Sequence, residues 1–194
     1  MRTLAPALRK FAFSLTVLFA AGGILFASGY VIEDPGGWLA VLVIAALVVP
    51  LAGLAVMAHR SPDRALSWLL VGIGLLVAYM VAGFFVQLIE APVVPVATLV
   101  LAVPAAVIGL GNARRAAELL LLLAAGPLLT VVVRVLGGGD GEGPPLGAAL
   151  GGSTGVVVLP LLLFAGLFLV AAAAEGHRPA DARPGTPAGS PGRR

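Results

Sequence analysis

An all-α, polytopic transmembrane helix bundle of about six spans is the fold this sequence predicts, and three observations lead to it. Hydrophobic residues make up 60% of the 194, charged residues only 11%, and mean hydropathy is +1.08. Even a well-folded soluble domain leaves much of its area facing water, so this much apolar surface calls for lipid as the solvent. The apolar residues also fall into runs of about 20, the length a helix needs to cross a hydrocarbon core about 30 Å thick. Finally, basic residues at the ends of those runs alternate between dense and sparse along the chain.

The spans follow one another with little chain between them. Phe11–Val31 is the first and Trp38–Ala58 the second. Ala65–Glu90 is a slightly long third, Val93–Gly111 a rather short fourth, and Ala116–Leu136 the fifth. The sixth lies within Leu146–Ala174, long enough to tilt or to begin before the membrane. Arg9 and Lys10 before the first run, with Ala27 and Gly29 near its end, also fit a cleavable signal peptide. The run before that point is about 18 apolar or small residues, longer than the 7–15 of a signal core, which argues for retention.

Charge sets the orientation. Arg2, Arg9 and Lys10 precede the first span, Arg60 and Arg64 join spans two and three, and Arg114 and Arg115 join four and five. Arg178, Arg183, Arg193 and Arg194 lie in the tail, so eleven of the twelve basic residues share one side. Arg134 alone is on the other. Basic residues near span ends are retained in the cytoplasm, which predicts N-in and C-in and an even number of spans. Glu33, Asp34, Glu90, Asp140 and Glu142 fall on the outer side, consistent with this although acidic residues carry little weight. The expected location is the cell (inner) membrane, and the abundance of Arg, Ala, Gly and Pro beside a single lysine, Lys10, points to a GC-rich bacterial genome.

Residues 1–174 therefore read as a transmembrane helical domain and 175–194 as a disordered, basic, Pro/Gly-rich cytoplasmic tail. Gly137–Pro145 (GGGDGEGPP) is a flexible outer loop. Its Asp140 and Glu142 lack the further oxygen ligands of a calcium loop, so no metal site is expected there. Prolines fall inside four runs, at positions 50, 104, 127 and 160. Pro50 and Pro127 occupy the middle spans of the two halves, as an inverted three-plus-three repeat requires, but Pro104 and Pro160 dilute the match.

Ionisable groups deep in a membrane mark function by default. No Asp, Glu, Lys, Arg or His lies near the midpoint of any run, which counts against a proton-coupled carrier. Glu118, one turn after Arg114 and Arg115, is expected to pair with them locally. Glu90 and Arg134 stand at about the same outer depth, with Gln87 one turn below Glu90. They either form an ion pair at the outer rim or snorkel separately to water. Tyr79 and Thr98 are the mid-depth polar side chains, with Ser67 nearer the inner side and Thr130 nearer the outer. Hydroxyls in such helices usually bond to a carbonyl one turn back or to a neighbouring helix.

Small residues recur every four positions at Gly147, Gly151 and Gly155, and again at Gly23 and Ala27. That spacing places them on one helical face, where backbones approach closely, and predicts a helix-packing face. In a chain so rich in Ala and Gly, background spacing is the competing account.

The sequence holds no cysteine, which excludes disulfides, thiolate metal sites and thiol nucleophiles, and both histidines, His59 and His177, lie outside the apolar runs. Gly151-Gly152-Ser153-Thr154 resembles the Gly-x-Ser-Gly of rhomboid-type proteases, another six-span architecture, but Thr154 replaces the final glycine and no intramembrane histidine is present to activate the serine. The expectation is a non-enzyme without cofactor, with the lipid bilayer and other membrane subunits as partners and no nucleic acid. The predicted role is a non-catalytic accessory, scaffold or regulatory subunit of a membrane assembly. The alternative is a small-solute transporter or its membrane-embedded substrate-binding component. In topology alone, six spans with both ends inside, the plan is similar to that component of energy-coupling-factor vitamin transporters. An aromatic content of 6% is a poor start for binding vitamins.

Overall fold

The computed structural model describes residues 4–33, 37–86, 93–137 and 153–176. They form six α-helices: α1 Leu4–Glu33, α2 Gly37–Arg60, α3 Pro62–Val86, α4 Val93–Gly111, α5 Ala113–Gly137 and α6 Ser153–Gly176. Ser61 and Asn112 are the only described residues outside a helix. Four helices contain stretches long and apolar enough to cross a membrane: Leu4–Leu25, Gly37–Arg60, Pro62–Met80 and Gly155–Glu175. α4 adds a shorter apolar stretch, Ala97–Gly111, and α5 opens with Arg114, Arg115 and Glu118 before its apolar run.

The helices start and stop differently from the apolar runs. α1 begins at Leu4, so Arg9 and Lys10 belong to it, and α5 takes in Arg114 and Arg115. Hydropathy measures only the part of a helix that suits lipid; hydrogen bonding carries the same helix on through its charged ends. The described residues of α6 start at Ser153, inside the apolar run that starts at Leu146, and the helix continues past Ala174 to Gly176.

Two junctions are single residues, and their chemistry explains the tight reversals. Asn112 is the N-cap of α5: its side-chain oxygen accepts the Arg115 backbone N–H at 3.1 Å, satisfying one of the donors a helix start leaves open. Its own N–H donates to the Ile108 carbonyl at 2.8 Å, closing the last turn of α4. Ser61 does the same for α2 through the Met57 carbonyl at 2.7 Å, with Pro62 following at the first position of α3, where a missing N–H costs nothing. Gly37 opens α2 at φ +54°, a backbone conformation side chains disfavour.

α4 is the hub, in contact with all five other helices, whereas α1 packs on α2, α4 and α6. First helices of the two halves are thus not equivalent, which weighs against the inverted repeat. The most extensive pairing joins α5 to α6, followed by α1 to α4. The interior is built from small residues: Ala12, Ala20, Ala102, Ala105, Ala106, Ala116, Ala117, Ala124, Ala165 and Ala171 are all essentially inaccessible. Larger side chains plug the remaining space, with Leu69, Leu120, Leu123, Leu161 and Phe168 fully buried. Phe19 meets Phe164 edge to face, with centroids 5.9 Å apart and planes at 70°.

The outside carries the bulk. Leu18, Trp38, Val49, Leu75, Val156 and Leu159 are all more than 60% exposed. Large apolar side chains outside and alanines inside invert the economy of a water-soluble core, and match a bundle whose close helix contacts are made by small residues while lipid solvates the rest.

Candidate functional site

Two places gather chemistry: a polar network at one end of the bundle and a lateral groove at mid-height. The network joins the start of α1, the α2/α3 junction, the α4/α5 junction and the end of α6. Arg9 of α1 pairs with Glu175 of α6 at 3.0 Å, and its other terminal nitrogen donates to the Leu110 carbonyl of α4 at 3.2 Å. Leu110 lies in the last turn of α4, where carbonyls lack helical partners and the helix dipole favours a cation. One guanidinium thus ties three helices together. Arg115 of α5 reaches Asp63 of α3 at 2.9 Å, and Arg114 pairs with Glu118 one turn on at 3.0 Å.

Of the local pairing expected at Glu118, only half is found. Arg114 makes it; Arg115 crosses to Asp63 instead, because the single-residue Asn112 turn brings the start of α5 beside the start of α3. Neither Asp63 nor Glu175 stands out in the sequence. Inter-helix partners depend on which helix ends share a corner of the bundle, and no local spacing encodes that. Among the described residues Lys10, Arg60 and Arg64 make no ion pair, so cations outnumber the carboxylates that pair with them there.

The groove runs between α2, α3 and α4 and encloses about 440 Å³. Ala46, Pro50, Leu51 and Leu54 form one wall, Gly72, Leu75, Leu76 and Tyr79 another, and Ala97, Val100, Leu101 and Pro104 the floor. Tyr79 brings the only polar side chain among the described lining residues. Prolines of two helices meet here, and each lacks the N–H that the carbonyl one turn back, Ala46 or Val100, would accept. Proline inside a helix removes a backbone hydrogen bond and is a usual cause of kinks, so both helices carry a weakened turn where they line the groove.

The mid-depth hydroxyls divide. Thr98 of α4 is wholly buried and not without a partner, Ser67 donates to the Asp63 carbonyl at 3.3 Å, and Tyr79 lines the groove. Thr16, outside the set expected from mid-depth position, is buried and donates to the Ala12 carbonyl at 2.8 Å. A threonine on the same face as Ala12 and Ala20 does leave a trace in the sequence, but the trace is one of packing.

Of the small-residue positions, Gly23 lies at a close approach: a Cβ there would stand 2.5 Å from Leu99 Cδ1 of α4. Gly155 is buried. Glu90, Gln87, Gly147 and Gly151 lie outside the described residues, as do positions 138–145 of the outer loop, whose Gly137 ends α5, and the tail beyond Gly176. Arg134, Ala27 and Thr130 belong to helices, but their side chains are outside the described set. A tighter glycine contact than any singled out in the sequence is Gly109, where a Cβ would run into the Phe168 ring and stand 2.8 Å from the Ala116 Cβ.

What this arrangement can do is hold six helices in register and present an apolar cleft to the bilayer. No family model matches the chain, and no curated protein or solved structure matches it either.

Proposed function

We propose that this chain is a six-span subunit with both termini in the cytoplasm, acting as a non-catalytic accessory, scaffold or regulatory component of a membrane assembly. The observation that carries the reading is α2. In its spanning stretch only 6% of the residues are buried within the chain, and Trp38, Leu39, Val41, Leu42, Val49 and Val56 all face outward. A helix so little used by its own bundle is free to pack on a neighbour. Thr16, a buried hydroxyl, serves the bundle itself by donating to the Ala12 carbonyl.

The span count and orientation draw support from the end network. Contacts of Arg9, Asp63, Arg115 and Glu175 gather the chain start, both tight junctions and the end of α6 at one pole. The same pole carries Lys10, Arg60, Arg64 and Arg114, and basic flanks are held in the cytoplasm.

A second reading, a small-solute transport component, is favoured by the groove, whose volume is within the range of about 300–1,000 Å³ usual for ligand sites. Purification of the tagged full chain in mild detergent separates the two. Stoichiometric co-purification of other membrane subunits is the result expected of a scaffold. An isolated monomer that binds a solute saturably would overturn that reading in favour of transport.

A further inference from the structure

One face of α3 joins the two candidate features. Arg64, Trp68, Gly72, Leu75 and Tyr79 are spaced by four, four, three and four residues, which sets them in a single stripe along the helix. Gly72, Leu75 and Tyr79 line the groove. Below them Trp68 is 60% exposed, and Arg64 is exposed with no acidic partner among the described residues. Read from the charged end, the stripe passes from cation to tryptophan to apolar notch. That is also the order of a phospholipid leaflet: charged headgroup, interface and acyl region, with tryptophan at home in the middle layer.

The dimensions agree. Gly72 lies eight residues past Arg64, about 12 Å at 1.5 Å per residue. On α2, Leu54 and Pro50 lie about 9 and 15 Å past Arg60, which is also without an acidic partner among the described residues. Half of a 30 Å hydrocarbon core is about 15 Å, so a lipid whose phosphate sits at Arg60 and Arg64 has the distal half of an acyl chain level with the groove. We propose that the α2–α3–α4 groove binds an anionic phospholipid of the leaflet at the basic end, with one acyl chain between Leu54, Gly72 and Pro104 and the phosphate held by Arg60 and Arg64. Gly72 adds no side chain to this lining, and a Cβ there would already press on the Leu101 side chain at 3.3 Å, so a larger residue takes space from the groove. Charge complementarity selects the headgroup and the apolar cleft retains the tail. A lipid held this way suits a scaffold and a carrier alike.

Trp68 is a built-in probe. The sequence has two tryptophans, so Trp38→Phe leaves Trp68 alone. This full-length variant is reconstituted into phosphatidylcholine vesicles holding a minor fraction of either phosphatidylglycerol or phosphatidylcholine, each brominated at mid-chain to quench nearby tryptophan. The expected result is stronger quenching by the anionic lipid, corresponding to a preference of about fivefold for each arginine engaged. Arg60→Gln with Arg64→Gln abolishes that preference, whereas Arg114→Gln, which removes a cation already paired with Glu118, leaves it intact. Gly72→Phe fills the notch and lowers quenching by both lipids; should that variant not fold, the arginine pair decides alone. Equal quenching by the two lipids, meaning annular contact only, overturns the proposal. So does a preference that Arg114→Gln removes as fully as the Arg60/Arg64 pair does, since the attraction would then belong to the whole rim.

Discussion

Gly109 is the residue whose side chain matters most by its absence. It sits two positions before the end of α4, facing both Phe168 of α6 and Ala116 of α5, and the Ala116 Cβ is fixed to backbone and cannot swing away. Gly109→Ala gains about 1 kcal/mol of helix propensity, but overpacking of this kind costs typically about 1–3 kcal/mol. We expect Gly109→Ala to lower the thermal midpoint in detergent and Gly109→Leu to prevent a compact fold, whereas the same changes at Gly53, with open space beside it, are tolerated. Scanning fluorimetry of the purified variants checks this; equal midpoints for Gly109→Leu and Gly53→Leu would refute it. Nothing local separates the two glycines in the sequence. Both sit in apolar runs, and only the meeting of three helices makes one of them indispensable. Thr16 and Ser67 are more legible, because a hydroxyl bonding to the carbonyl four residues back uses its own helix alone.

At the scale of elements, the question is what fastens one helix to the next. Apolar contact with lipid and apolar contact with another helix are close in free energy, so packing and polar ties decide position. The Arg9–Glu175 pair is the most sheltered of the three ion pairs among the described residues, with side chains 21% and 34% exposed, against 79% and 58% for Arg114–Glu118. Exposed pairs contribute about 0–1 kcal/mol. A double-mutant cycle on Arg9→Gln and Glu175→Gln is expected to give a coupling near the top of that range, and the Arg114/Glu118 cycle one near zero. If the two couplings come out alike, Arg9 is not a tie between α1, α4 and α6. Element existence is easy to read, because a run of about 20 apolar residues matches the thickness of a bilayer core and little else in a chain of this composition. Element ends are harder: charged residues such as Arg9 and Arg115 continue helices that hydropathy stops short of. The groove is illegible for a related reason, since Pro50 and Pro104 are far apart in sequence and meet only across α2 and α4.

For the whole molecule, the alternation of basic flanks and the gathering of four chain segments at one pole make the same demand. A reporter active only in the cytoplasm, fused after Arg194, should be active, and the same reporter inserted at Gly141 should be silent. Matching activity at both sites would mean that α6 does not cross, and the six-span count would fall with it. The centrality of α4 has a temporal side. Ribosomes deliver the amino end first, so α1, α2 and α3 enter the bilayer before the helix that all three lean on exists. Until it arrives, α1 and α3 have α2 as their shared neighbour, and the alanine faces that later close on α4 are turned to lipid. Assembly is therefore not a stacking of each helix on the one before: α4 slots between earlier arrivals, and α5 and α6 then close on it.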